Sequence, residues 1–230
     1  MDLDLALRTT ASIRSFRPDP VSDDLLFRIL DRARFAGSGG NRQGWRVLVV
    51  QDGAIRRRLR EIYIPIFAEY LDGLRRGLVS YSPEWTPGAN PPPIVPDEFA
   101  DHLDRVPVLL VVLAELGTLA ITDRDLGRPS IVAGASIYPF VQNILLAARG
   151  EGLGGVLTTM LCRAEPEVAA LLHIPPTHAM AAMIALGYPE HQPTRLKRRP
   201  VSSFTTRDRF DGPRFAETGD DRSPTRPGSG

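Results

Sequence analysis

The run from Val106 to Ala114 constrains this chain more than any other segment, because it is apolar throughout, dominated by Val and Leu, and closes at Glu115. It falls far short of the roughly 20 residues that span a bilayer. An uncharged run of this length reads instead as a strand buried on both faces. Trp45–Val50 and Ala179–Leu186 read the same way, and Leu153–Thr159 is a further short strand. Between them lie helical patterns. Val21–Ala36 places Leu25, Leu26, Ile29, Leu30, Ala33 and Ala36 on one face, with Ser22 as N-cap and the glycines from Gly37 as the stop. Ala54–Gly77 is a helix that Pro65 should kink or split. The prolines between residues 80 and 97 forbid regular pairing, Ile131–Arg149 is a strongly apolar helix, and Glu165–His173 is a short one. The alternation predicts one α/β or α+β domain over residues 1–210, with a lid insertion at 62–104. Residues 211–230, rich in Gly and Pro, cannot offset their ordering entropy and form a mobile tail.

Composition removes several function classes. With 28 basic and 27 acidic residues in 230, no whole-chain electrostatic pull toward nucleic acid or membrane exists. The N-terminus, with Asp2 and Asp4, does not resemble a signal peptide, and the single Cys162 has no internal disulfide partner, so the expected location is cytoplasmic. Four scattered histidines without metal-ligand spacing leave no metal site. The glycines of 150–155 follow a helix and enter a strand, the reverse of a dinucleotide-binding turn. One oddity remains: 27 of the 28 basic residues are arginine, and the sole lysine is Lys197.

Three polar segments stand out against apolar surroundings. Ser12-Ile13-Arg14 sets a hydroxyl and a guanidinium two residues apart, on one side of an extended stretch. Ser38 to Gln43 combines glycines, which let backbone approach a flat ligand, with the hydrogen-bonding side chains of Ser38 and Asn41. Arg195 to Arg199 gathers four cations after the last strand. Cations at both ends of the chain suit a phosphate, and the glycine turn suits a ring.

In this order, with Val141-Gln142-Asn143 leading into Gly152-Leu153-Gly154 and with Gly187-Tyr188-Pro189 before Lys197, these segments resemble the FMN-dependent nitroreductase family over about 210 residues. The resemblance implies an α+β fold with a central mixed, mainly antiparallel sheet flanked by helices. It also implies an intertwined homodimer with one FMN in each of two interface clefts. It assigns Ser12, Ile13 and Arg14 to the FMN phosphate, ribityl or pyrimidine side, and Lys197, Arg198 and Arg199 to the phosphate. Gly37, Ser38, Gly39 and Asn41 would meet the isoalloxazine from the other subunit, while Leu157, Thr158 and Thr159 lie along the ring. The chain departs from the family at Thr10 and Ala11, where many members carry two arginines and Arg8 is the nearby substitute. It departs again at Gly37 and Gly44, where proline is common and glycine should loosen the turn.

The implied reaction is electron transfer from NADH or NADPH through flavin to a small aromatic or quinone-like acceptor, in a ping-pong cycle. No side chain is singled out as catalytic. The lid aromatics Tyr63, Phe67, Tyr70, Tyr81, Trp85 and Phe99 would wall the exposed ring face or simply pack. Rival readings within the family are a reductive dehalogenase, a flavin-dependent dehydrogenase or oxidase, or a flavin-cleaving enzyme. Outside catalysis stands a flavin-binding protein without turnover.

Overall fold

In the computed structural model, residues 1–80, 85–87 and 98–216 are described. Lid residues Tyr81 and the Trp85 side chain, and the tail from 217, lie outside the described residues. The chain divides into two compact units, Met1–Thr194 and Arg195–Gly230, where the sequence suggested one domain to residue 210.

In the first unit, the order is α1 (Leu3–Thr9), α2 (Asp23–Ala33), β1 (Trp45–Val49), α3 (Gly53–Arg75), β2 (Leu78–Ser80), β3 (Trp85–Pro87), α4 (Glu98–Asp101), β4 (Val108–Glu115), α5 (Tyr138–Gly150), β5 (Gly154–Thr158), α6 (Glu165–Leu172) and β6 (His178–Gly187). Four strands form the main sheet in the order β1-β4-β6-β5, every neighbouring pair antiparallel. A parallel bridge between Ser12 and Gly155 adds the mixed character at its β5 edge.

Strand β4 sits between β1 and β6, and its residues from Val108 to Ala114 are buried. Because side chains alternate along a strand, Leu109, Val111 and Leu113 pack under α3 with Leu59, Tyr63 and Phe67. Leu110, Val112 and Ala114 pack with α2 and α5 through Ile29, Val141 and Ile144. A bulge carries the β4–β6 register from Val112–Ala182 to Leu113–Met180, so Ala181 is the extra residue.

Helix α2 follows its apolar periodicity, and the Ser22 hydroxyl accepts from the Leu25 amide at 3.3 Å. Helix α3 departs from expectation, since it runs unbroken through Pro65. Pro65 lies on the exposed face, where water can serve the carbonyl left unbonded one turn earlier. Ile62, Tyr63 and Phe67 bury the opposite face on both sides of it. Residues 62–75 are therefore the second half of a core helix rather than part of a lid. Helix α5 begins at Tyr138 instead of Ile131: Ala133–Ser136 form a tighter 3₁₀ turn, and Pro139 occupies the first helical turn, where its missing N–H costs nothing.

In the second unit, Arg207 stacks over Phe215 at 4.7 Å, and Thr206 bridges Arg214. Phe215 N donates to Thr205 O at 3.1 Å, so residues 211–216 are tied into this unit rather than forming the start of a mobile tail.

Candidate functional site

Ser12-Ile13-Arg14 runs along the outside of β5, where Ile13 N donates to Gly155 O at 2.9 Å. Glycines are required there: a Cβ on Gly154 would come within 2.6 Å of the Ile13 side chain, and one on Gly155 within 2.9 Å of the Ala185 carbonyl. Ile13 itself is buried and its amide is taken, so it anchors the stretch and offers a ligand only its carbonyl. Alternation turns the neighbours outward, leaving Ser12 exposed and Arg14 half-buried. No carboxylate or other hydrogen-bond acceptor among the described residues pairs with Arg14, and burial lowers its pKa, with Tyr63 and Tyr70 opposing that shift. The Tyr63 hydroxyl stands 3.4 Å from Thr158 Oγ1. Burial raises the Tyr63 pKa, against the Thr158 hydrogen bond and the nearby Arg14 charge. Thr158 Oγ1 also accepts from Met160 N at 3.3 Å, which is the arrangement of a satisfied strand end. Leu157 is half-buried and Thr159 exposed. Ser12, Arg14, Thr158 and Tyr63 thus share one neighbourhood.

The turn from Gly37 to Gln43 is built differently. Gly40, Asn41 and Gln43 have φ of 60°, 55° and 51°, so two non-glycine residues are held in the sparsely populated left-handed region. Cross-links hold this shape. Gly39 N donates to Ser136 Oγ at 3.0 Å, Gln43 N to Ser38 Oγ at 3.0 Å, and Arg42 to the Thr118 carbonyl at 3.3 Å. Glycine at 44 does not loosen the turn as expected, because a Cβ there would collide with the Thr118 side chain. At Gly37 nothing lies within reach of a Cβ, and the residue is exposed.

Ser136 and Thr118, which the sequence reading missed, belong to the 116–136 segment that backs this turn. Asp123 ties that segment together: it accepts from Ser130 Oγ at 2.6 Å, Arg128 Nη1 at 2.7 Å and Ile131 N at 3.0 Å. These contacts, led by the Ser130 hydroxyl, hold its carboxyl far below the usual range of 3.8. A carboxylate with a depressed folded pKa stabilises the fold above its unfolded pKa, and that contribution is lost as pH falls. We expect Asp123→Ala to melt below wild type at pH 7 in a thermal unfolding series, with the gap closing as pH drops below about 4.

Within one chain these two pieces do not meet. The glycine turn leads into β1, one edge of the sheet, and Ser12–Arg14 flanks β5, the other. Three strand spacings, about 14 Å, separate those edges. In the second unit Lys197, Arg198 and Arg199 are exposed; Arg198 donates to the Lys197 carbonyl at 2.9 Å, and no carboxylate among the described residues pairs with the three. Arg8 is engaged with Asp4 at 2.7 Å on α1. Among the described residues no group of His, Cys, Asp or Glu could hold a metal, and no helix is long and apolar enough to cross a membrane.

The sequence pattern of the nitroreductase family matches residues 7–188, from the end of α1 to the residue after β6. The chain belongs to the nitroreductase family. It is accordingly an NAD(P)H-dependent oxidoreductase of α+β architecture. A relative named NADH dehydrogenase, from Thermus thermophilus, is 33% identical over 208 residues, which cover 87% of this chain and 93% of the relative. The fold is shared with an NADPH:FMN oxidoreductase from Vibrio harveyi complexed with NAD+ (TM-score 0.63, 21% identity, covering 90% of this chain and 76% of that one). It is also shared with an iodotyrosine deiodinase bound to FMN and 3-iodo-L-tyrosine (TM-score 0.63, 23% identity, 87% and 96% covered).

Proposed function

We propose that this chain binds FMN and passes electrons from NADH or NADPH to a small aromatic or quinone-like acceptor, as a homodimer whose clefts are shared between subunits. The observation that carries the flavin reading is Arg14. It is a half-buried guanidinium with no partner among the described residues, beside the Ser12 hydroxyl and outside a glycine-lined strand. A desolvated cation without a counter-charge is costly unless a ligand supplies one. The residue chemistry in each unit suits FMN: in the first, Arg14 and Ser12 offer charge and hydrogen bonds to its polar side; in the second, Lys197, Arg198 and Arg199, which pair with no carboxylate among the described residues, are cations of the kind a phosphate requires. The cross-linked turn of Gly37, Ser38, Gly39 and Asn41 presents exposed backbone to the flat ring. Bound there, the flavin supplies the redox chemistry.

The protein's own task is to orient and exclude. Leu157, Thr158 and Thr159 form the strand end along the ring, with the Thr158 hydroxyl fixed by Met160 N and Tyr63. Tyr63, Phe67 and Phe99 are core residues, each no more than 4% exposed, and Tyr63 packs against both of the others beneath this strand end. Separation of the two half-sites on opposite sheet edges favours the homodimer. So do the exposed apolar side chains of Leu3, Leu5, Leu7, Phe27, Phe35 and Ile131, which an isolated subunit would leave in water. A dehalogenase reading is weaker, since the 62–104 segment contains no lysine to clamp an amino-acid zwitterion.

The purified protein is expected to be yellow, and its flavin absorbance to bleach anaerobically with NADH or NADPH and return on adding a nitroaromatic or quinone. Colourless protein that takes up no FMN refutes the proposal. Bound flavin that neither nicotinamide reduces marks a binding protein instead.

A further inference from the structure

Packing alone does not require a phenol at position 63. Tyr63 lies on α3 at 1% exposure, stacked on Phe67 at 5.3 Å and edge-on to Phe99 at 6.1 Å, in a core cluster with Leu59 and Leu103. Phenylalanine would fill the same space, and a hydroxyl buried among such side chains is unfavourable unless it finds a partner. We propose that Tyr63 is a positioning residue: its hydroxyl donates to Thr158 Oγ1 and so locks the Thr158 hydroxyl as a hydrogen-bond donor to a carbonyl oxygen of the bound ring. This rests on the flavin reading above.

Donor and acceptor counts set the direction of the bond. Among the described residues, the Tyr63 hydroxyl has Thr158 Oγ1 as its partner, at 3.4 Å. Were Thr158 the donor, the phenol proton would be left in the core without an acceptor. Burial raises the Tyr63 pKa, so the phenol keeps its proton, while the nearby Arg14 charge favours donating it. Thr158 Oγ1 also accepts from Met160 N at 3.3 Å. A hydroxyl has two acceptor lone pairs and one proton. With both lone pairs taken, Thr158 can only donate, and no described residue accepts from it. Thr158 closes β5, is half-buried, and is held in the sheet opposite Met183, so a ligand can reach that proton on a fixed support.

A locked donor narrows what it can face. A flavin nitrogen that takes up a proton on reduction would then set one proton against another. A carbonyl oxygen accepts in both redox states and accepts better when the ring is electron-rich. The Tyr63–Thr158 pair should therefore hold reduced flavin more tightly than oxidised flavin.

The test is an anaerobic redox titration of FMN bound to the full-length protein against a dye of known potential. In Tyr63→Phe the preference for reduced over oxidised FMN should fall about three- to tenfold, which lowers the midpoint of a two-electron couple by about 15–30 mV. Thr158→Val should shift it at least as far, the double variant no further than Thr158→Val alone, and Thr158→Ser should keep the wild-type value. Thr158→Val should also weaken binding of 5-deaza-FMN, which has carbon in place of the nitrogen protonated on reduction, as much as it weakens binding of FMN. A Tyr63→Phe protein that binds FMN at the wild-type midpoint overturns the proposal, even if it melts earlier. So does a double-variant shift equal to the sum of the singles, or a Thr158→Val loss seen with FMN and absent with 5-deaza-FMN; each leaves the flavin reading standing. Wild-type protein that takes up no FMN refutes the flavin reading, and the proposal with it.

Discussion

Arg14→Ala will weaken FMN binding about 30- to 100-fold while leaving the thermal midpoint of the apoprotein at or above the wild-type value. The two halves of this expectation have one cause. An arginine that serves structure spends its charge on a protein partner, and its removal leaves that partner orphaned at a cost of several kcal/mol. Arg14 has no such partner among the described residues and is already desolvated enough for its pKa to fall. Truncation therefore relieves a burial penalty in the apoprotein and exposes no unpaired carboxylate. The whole loss falls on the ligand, where a charge-assisted hydrogen bond contributes roughly 1.5–3 kcal/mol. Arg14→Lys should recover only part of the affinity, because an ammonium restores charge without the planar fork. Titration of FMN and a melting curve of the apoprotein separate the cases. A large drop in midpoint with unchanged FMN affinity would make Arg14 a structural residue.

Much of this architecture is legible in residue order. Uncharged Val and Leu at 106–114 required a strand buried on both faces, and the β4 alternation between the α3 core and the α2–α5 core fulfils that requirement. Ser22 and the spacing from Leu25 to Ala33 specified α2 to within its last turn. The misses share a physical origin in contacts distant along the chain. Local propensity breaks a helix at Pro65, but tertiary packing of Tyr63 and Phe67 holds it together and leaves the proline on the solvent side. Helix α1 is only Leu3–Thr9, too short for a helical period to register, and its leucines face outward. At the candidate site the fragments were visible and their supports were not. Ser136 holds Gly39 from 97 residues away, Thr118 occupies the space that glycine at 44 leaves open, and Asp123 clamps the segment carrying both. Nothing in the spacing of hydroxyls along the chain marks those three.

The placement of the two half-sites leads to a sharper expectation than either half alone. If Arg14 at the β5 edge and the glycine turn at the β1 edge serve the same flavin, about 14 Å of sheet separates them within one subunit, and a cleft shared between subunits is the arrangement that brings them together. Consider Arg14→Ala and Gly40→Val, each made separately. The second acts through the backbone: Gly40 has φ 60°, where a β-branched residue is disfavoured by about 1–2 kcal/mol or more. The turn already holds Asn41 and Gln43 in the same strained region, so it has little capacity to absorb a third. Homodimers of either variant carry a defect in both clefts and should retain little FMN. Co-expressed, the two chains also form mixed dimers, in which one cleft inherits both defects and the other inherits neither. Random pairing makes half of the dimers mixed, so the co-expressed preparation should recover about a quarter of the wild-type flavin and of its nicotinamide-dependent bleaching. Clefts formed within single chains would give no recovery in any mixture, because every chain would still carry its own lesion. The flavin content of the co-expressed preparation, set against physically mixed homodimers that have not exchanged subunits, therefore decides whether the two sheet edges are halves of one site.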